Sequence, residues 1–209
     1  MFKRYSHVYL LSMLYASVAM ANDAFYLGGG VGADSLNDKL TVSSSGNTQK
    51  GNLGFIGGIF GGYEWTFRNC FNLGVEAFAD SAVVRIKDYQ TSNQAALELK
   101  YRYNYGVRVL PGYRFAPGSV VYLIGGGVEG NFKMTDTGYY SNVSNTFNSL
   151  GYQLGIGASS LIWKNLSLRG DAIYSAYSAN SFNGSGNVNY HNNISTLDAL
   201  VSLSYKFSC

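Results

Sequence analysis

The sequence predicts an all-β protein, an eight-stranded antiparallel up-and-down β-barrel, on three observations. Residues 97 to 109, LELKYRYNYGVRV, put an apolar side chain on every odd position and a polar one or glycine on every even position, the period of two that a strand imposes. The chain carries 26 Gly, 18 Tyr and 12 Phe against 2 Pro, with 13% charged residues, a balance that favours an aromatic-rich sheet protein over a helical one. Eight segments alternate in this manner, and the links that join them are by turns long and short.

The first 21 residues stand apart from the fold. Lys3 and Arg4 precede an apolar run from Val8 to Val18, and Ala19-Met20-Ala21 has the small-residue form of a cleavage site, so residues 1–21 read as a secretory signal peptide. The run is well short of the ~20 apolar residues that a spanning helix needs, and no Cys follows Ala21 to take a lipid anchor. Residues 22–209 then form one domain. Without Lys3 and Arg4 its charge is nearly balanced, which gives no electrostatic case for nucleic acid as a partner.

Each segment sorts its residues by face. Segment 24 to 34 puts Phe25, Leu27 and Val31 on the apolar face; 53 to 65 adds Ile59 and Tyr63. Segment 71 to 83 sets Leu73 and Val75 against Glu76 and Asp80, and 96 to 115 sets its odd residues against Glu98, Lys100, Arg102 and Arg108. Segment 119 to 132 opposes Tyr122, Ile124 and Val128 to Glu129; 148 to 163 opposes Tyr152, Leu154 and Ile156 to Gln153. Segment 165 to 177 opposes Leu166 and Leu168 to Arg169 and Asp171, and 195 to 207 opposes Leu197, Val201, Leu203, Tyr205 and Phe207 to Asp198 and Lys206. Long polar links fall at 35 to 52, 84 to 95, 133 to 147 and 178 to 194, and short ones at 66 to 70, 116 to 118 and 164. An even number of strands with short turns at one end and four longer loops at the other is the layout of an outer-membrane barrel.

Alternation alone suits a barrel with its apolar face outward in lipid, or a soluble one with that face inward. Aromatic placement favours lipid. Trp65, Phe71, Tyr113, Phe115, Trp163, Tyr205 and Phe207 fall beside the short turns, and Phe55, Tyr101, Tyr103, Phe132 and Tyr174 at the opposite ends, as two girdles at two membrane interfaces. Closure in lipid also leaves no backbone group unpaired.

On FGGYEW (60 to 65), NLGVEAFAD (72 to 80), LSLRGDAIY (166 to 174) and LVSLSYKF (200 to 207), the chain resembles the transmembrane barrel of the OmpA type, within the small eight-stranded outer-membrane β-barrel superfamily of Gram-negative bacteria. The resemblance implies a lumen ion pair between Glu76 and Arg169. It also implies that the last strand, through Leu203, Tyr205 and Phe207, carries the signal read by the barrel assembly machinery. Ser208-Cys209 extends past the usual terminal Phe, and no peptidoglycan-binding domain follows, so a cell-wall tether is not implied.

Other motifs read blandly. Gly125-Gly126-Gly127-Val128-Glu129-Gly130 fits a dinucleotide fingerprint, but the fingerprint must open a helix and here the strand continues, so these glycines serve a crowded barrel interior. Asn142-Val143-Ser144 and Asn193-Ile194-Ser195 match the glycosylation triplet, which is common by chance. His191 lies in a polar link without an acid and serine placed beside it, and no His, Cys or carboxylate cluster has metal-ligand spacing, so no catalytic residue, metal or cofactor is expected. Cys70, in a short turn, and Cys209, past the last strand, share the periplasmic rim in an oxidising compartment. A disulfide between them, two free thiols, or a partner-linked Cys209 all remain open.

The function expected is an integral outer-membrane barrel with both termini periplasmic and polar loops outside, in a structural or interaction role such as adhesion or a surface antigen. Glu76, Arg108, Glu129, Arg169 and Asp171 are the expected ion-pair network that plugs the lumen, since eight strands leave room only for side chains. Its partners are outer-membrane lipids, the assembly machinery and a host or surface ligand that the loops do not identify. The alternatives are a narrow channel for ions or small solutes and an outer-membrane lipid-modifying enzyme.

Overall fold

A computed structural model describes residues 24–42, 46–67, 70–90, 95–137, 142–178, 180–183 and 189–208. The leader at 1–21 and Cys209 lie outside the described residues. Nine strands follow in order: β1 Ala24–Val42, β2 Gly46–Thr66, β3 Phe71–Gln90, β4 Ala95–Ala116, β5 Ser119–Thr137, β6 Asn142–Trp163, β7 Leu166–Tyr177, β8 Asn180–Asn183 and β9 Asn189–Ser208. From β1 to β7 each strand pairs antiparallel with the next, β7 pairs with β9, and β1 closes on β9. The short β8 pairs with β9 beyond the end of β7, so β7 and β8 together form one stave, and the barrel has eight.

The register fixes the geometry. Stepping across paired residues from Leu27 through Gly61, Ala77, Val107, Gly127, Tyr152, Ala176 and Ser195 returns to β1 at Asn37, ten residues further along. A stagger of that size in eight strands goes with a tilt of roughly 40°. A strand such as the 20-residue β3 then rises about 50 Å at ~3.3 Å per residue, about twice the ~25 Å apolar band of a membrane barrel.

That excess corrects the expected loops. The links at 35 to 52, 84 to 95, 133 to 147 and 178 to 194 are largely strand, because the ladders run on past the apolar belt as paired hairpins. At the other end the turns are short. Gly118 takes a left-handed φ of 78°, which glycine adopts without strain, and its carbonyl accepts from Leu161 N at 2.9 Å.

Outward side chains form a continuous apolar belt: Leu27, Val31, Ile59, Val75, Val107, Leu154, Ile156 and Val201 are all exposed. Phe71, Tyr113, Phe115, Trp163, Tyr205 and Phe207 edge it on the short-turn side, and Phe55, Tyr103, Tyr105, Tyr152 and Tyr174 on the other. An exposed apolar surface of this extent would aggregate in water and is what lipid covers.

Two face assignments from the sequence are corrected. In β4 the alternation of the sequence is unbroken, yet the backbone bulges: Tyr101 pairs with Phe132 while Tyr103 pairs with Asn131, so Arg102 is the extra residue. A bulge adds one residue and so exchanges the faces beyond it. Arg102 and Tyr103 are both exposed, whereas Leu99 and Tyr101 turn into the barrel. Glu98 consequently reaches Arg85 on the outer wall, 3.9 Å away. Phe132 is likewise inside, so neither it nor Tyr101 belongs to the outer girdle. In β5 the inward set is Val120, Tyr122, Ile124 and Val128, and the outward set includes Val121 and Leu123. Val120 to Ile124 is apolar on both faces, so alternation gave no phase there. Gly125 and Gly127 also face out, where a Cβ would meet nothing within 4 Å, so they are not interior glycines.

Candidate functional site: a layered lumen

The inward side chains stack in four layers along the barrel. Nearest the short turns, Lys206 Nζ lies 2.9 Å from both carboxylate oxygens of Glu64, Asn72 Nδ2 donates to Glu64 at 2.8 Å, and Arg114 Nη2 donates to Thr66 Oγ1 at 2.9 Å.

Glu76 is the centre of the second layer. Fully buried on β3, it accepts from Arg108 Nε at 2.6 Å, from Arg169 Nη1 at 2.5 Å and from the Tyr26 hydroxyl at 3.0 Å. Arg169 also donates through Nε to Asp171 at 2.7 Å, and the Tyr122 hydroxyl donates to the same carboxylate at 2.5 Å. Two cations thus meet two anions away from solvent, the condition under which buried charge is tolerated. Aromatic faces complete the cage: the Arg108 guanidinium lies 4.2 Å from the Phe78 ring centroid, and that of Arg169 4.6 Å from Phe60. Small residues make the room. A Cβ on Gly62 would stand 2.6 Å from the Tyr26 hydroxyl, and one on Gly157 would collide with the Tyr122 ring.

A third layer holds Asp34, Asp198, Thr196, Asn104, Gln153 and Ser175, all buried. Above it the lumen turns apolar. Tyr101 stacks on Phe132 at 5.1 Å, Tyr177 packs edge-on against Phe132 at 5.0 Å, and Leu36, Val84, Met134 and Ile194 belong to the same buried cluster. The Tyr101 and Tyr177 hydroxyls lie 3.0 Å apart, and Asn104 donates to that of Tyr101.

Of the residues singled out from sequence, Glu76, Arg108, Arg169 and Asp171 converge. Glu129 does not. It sits on the outer wall, where Asn148 Nδ2 donates to it at 2.8 Å and the exposed Tyr105 lies beside it, because the inward residues of β5 are its even-numbered ones. Arg102, Lys100 and Glu98 also leave the inward set through the β4 bulge. Leu203, Tyr205 and Phe207 line the outer face of β9, the last two rings 4.9 Å apart. Cys70 is exposed in the turn before β3. His191 lies on β9, with its side chain outside the described residues. Among the described residues no three His, Cys, Asp or Glu gather as a metal centre.

Sequence reasoning missed Tyr26, Tyr122 and the Asp34–Asp198 pair. Tyr26 was legible from the phase of Phe25 and Leu27, which forces it inward. The carboxylate pair was not, since it depends on which residues of β1 and β9 face each other.

A sequence model described as an outer membrane protein beta-barrel domain matches residues 7–207. No curated protein matches the chain. A major outer membrane protein from Thermus thermophilus superposes with a TM-score of 0.55 at 15% identity, over 88% of this chain and 99% of that one. The outer membrane protease OmpT from Escherichia coli gives 0.53 at 9% identity, over 89% and 97%. Neisserial surface protein A gives 0.43 at 21% identity, over 88% and 97%. At such identities the likeness concerns the fold alone.

Proposed function

The chain belongs to the outer-membrane β-barrel family, and on that premise we propose that it is a closed outer-membrane scaffold that presents hairpin tips for interaction at the cell surface. Two packed layers of side chains across the lumen support this reading. The Glu76, Arg108, Arg169 and Asp171 layer blocks the lumen electrostatically, and the Tyr101, Phe132 and Tyr177 layer blocks it sterically further out. A solute would have to displace both.

The hairpin ends stand outside and both termini in the periplasm, an orientation supported by the short turns at one rim and the long paired extensions at the other. Lipid contacts the outward belt, and the exposed Leu203, Tyr205 and Phe207 row on β9 serves as the assembly signal. The role is non-catalytic: the acids and bases of the second layer are tied to one another, which leaves them as structural ion pairs. The test has two arms. The purified barrel in planar bilayers should show no steady conductance, and overexpression should leave the acyl-chain pattern of the outer-membrane lipids unchanged. A steady conductance would make the protein a channel, and an altered acyl pattern would make it a lipid-modifying enzyme.

A further inference from the structure

Among the described side chains, the inward face carries six carboxylates, those of Asp34, Glu64, Glu76, Asp80, Asp171 and Asp198, against four basic groups, Arg108, Arg114, Arg169 and Lys206. Two negative charges are therefore left over. Asp34 and Asp198, 0% and 2% exposed, oppose each other directly in the β1–β9 register, and no salt bridge among the described residues reaches either. Like charges placed directly opposite in a ladder repel; the two carboxyl groups lie within hydrogen-bonding reach of each other, and apart from that contact both oxygens of Asp34 and Oδ1 of Asp198 have no donor.

The neutral groups of the same layer point to what is missing. Thr196 Oγ1, fully buried two residues before Asp198 on the same inward face, has no partner, and neither have Asn104 Oδ1 and Gln153 Oε1. Their amide donors are already used, Asn104 on Tyr101 and Gln153 on Ser175. A buried oxygen without a partner is costly, and what this layer lacks is positive charge. Arg108, the basic group next below, is engaged by Glu76 through Nε, while its Nη1 is a buried donor without a partner. Asp80, paired with Asn104 in the β3–β4 register, adds to the negative side.

We propose that this layer is a binding site for one hard divalent cation of the calcium class, held by the Asp34 and Asp198 carboxylates with Thr196 Oγ1, Asn104 Oδ1 and Gln153 Oε1 available as neutral donors. Two carboxylates balance one divalent charge, and an all-oxygen set contributed from β1, β4, β6 and β9 suits the flexible coordination of calcium better than the strict octahedron of magnesium. The site lies between the ion-pair layer and the apolar layer, so the ion enters during folding and stays once the barrel has closed.

The test uses the barrel refolded in detergent without lipopolysaccharide, in calcium or in EDTA, then freed of unbound ion by gel filtration. Atomic emission should find about one calcium per chain in wild type folded with calcium. A later wash of that folded protein with EDTA should remove little of it. Asp34→Asn and Asp198→Asn should each lower bound calcium about tenfold while keeping the heat-modifiable mobility of a folded barrel, since asparagine keeps the shape and removes the repulsion. Magnesium in place of calcium should load poorly. Wild type that carries no calcium after folding in it, or calcium retained in full by both variants, would overturn the assignment. So would a calcium-free wild type that both Asn variants match in stability at low pH and exceed at neutral pH, since the pair would then share a proton instead.

Discussion

Arg169 Nη1 lies 2.5 Å from Glu76 Oε2 although 93 residues separate them in the chain. That contact joins β7 to β3 across the lumen and lets one carboxylate serve two guanidinium groups, since Arg108 reaches the same carboxylate from β4. Glu76→Ala should therefore leave two cations buried with one acid between them, a loss of about 3–5 kcal/mol where water does not enter. Pairing it with Arg169→Ala restores part of the balance, so the double variant should be milder than the sum of its parts. Denaturant unfolding in liposomes reads both values, and strict additivity would mean the groups act independently.

Much of this layer was legible in the sequence because β3 and β7 alternate cleanly. Val75, Ala77 and Ala79 flank Glu76 and Phe78, and Leu168 and Gly170 flank Arg169, so each phase is fixed by its neighbours. Segments that are apolar on both faces carry no such phase, which is why Tyr122 and Glu129 were misplaced. The β4 bulge was hidden for a different reason. A bulge is a property of the pairing between strands, and the alternation of residues 97 to 109 is perfect with or without it.

The bulge has its own test. Arg102→Cys should react with a membrane-impermeant maleimide added to intact cells, while Tyr101→Cys should not, because Arg102 is exposed and Tyr101 fully buried in stacking with Phe132. Labelling of Tyr101→Cys but not of Arg102→Cys would restore the unbroken alternation and the outward Tyr101.

The lipid belt predicts a contrast in depth. Val107→Arg places a cation within the outward belt and should cost about 2–4 kcal/mol, seen as loss of the heat-modifiable folded band after assembly into liposomes. Ser144→Arg, exposed on the extended part of β6, should assemble as wild type. Equal yields of the two would remove the basis for placing Val107 against lipid.

The apolar layer should behave as a packed core. Phe132 touches Tyr101, Tyr177 and Phe147, so Phe132→Ala should cost about 3–5 kcal/mol through lost burial and the cavity left behind. Phe132→Leu should recover most of it. A Phe132→Ala barrel that unfolds like wild type would show the outer mouth to be loosely filled.

The most direct test of the closed lumen is planar-bilayer conductance of wild type beside Glu76→Ala, Phe132→Ala and the combined Glu76→Ala/Phe132→Ala variant. Two independent barriers predict a silent wild type, at most brief openings in either single variant, and steady conductance only when both are breached. A steady conductance in wild type would contradict the account outright, because the ion-pair and aromatic layers could not then be closing the barrel.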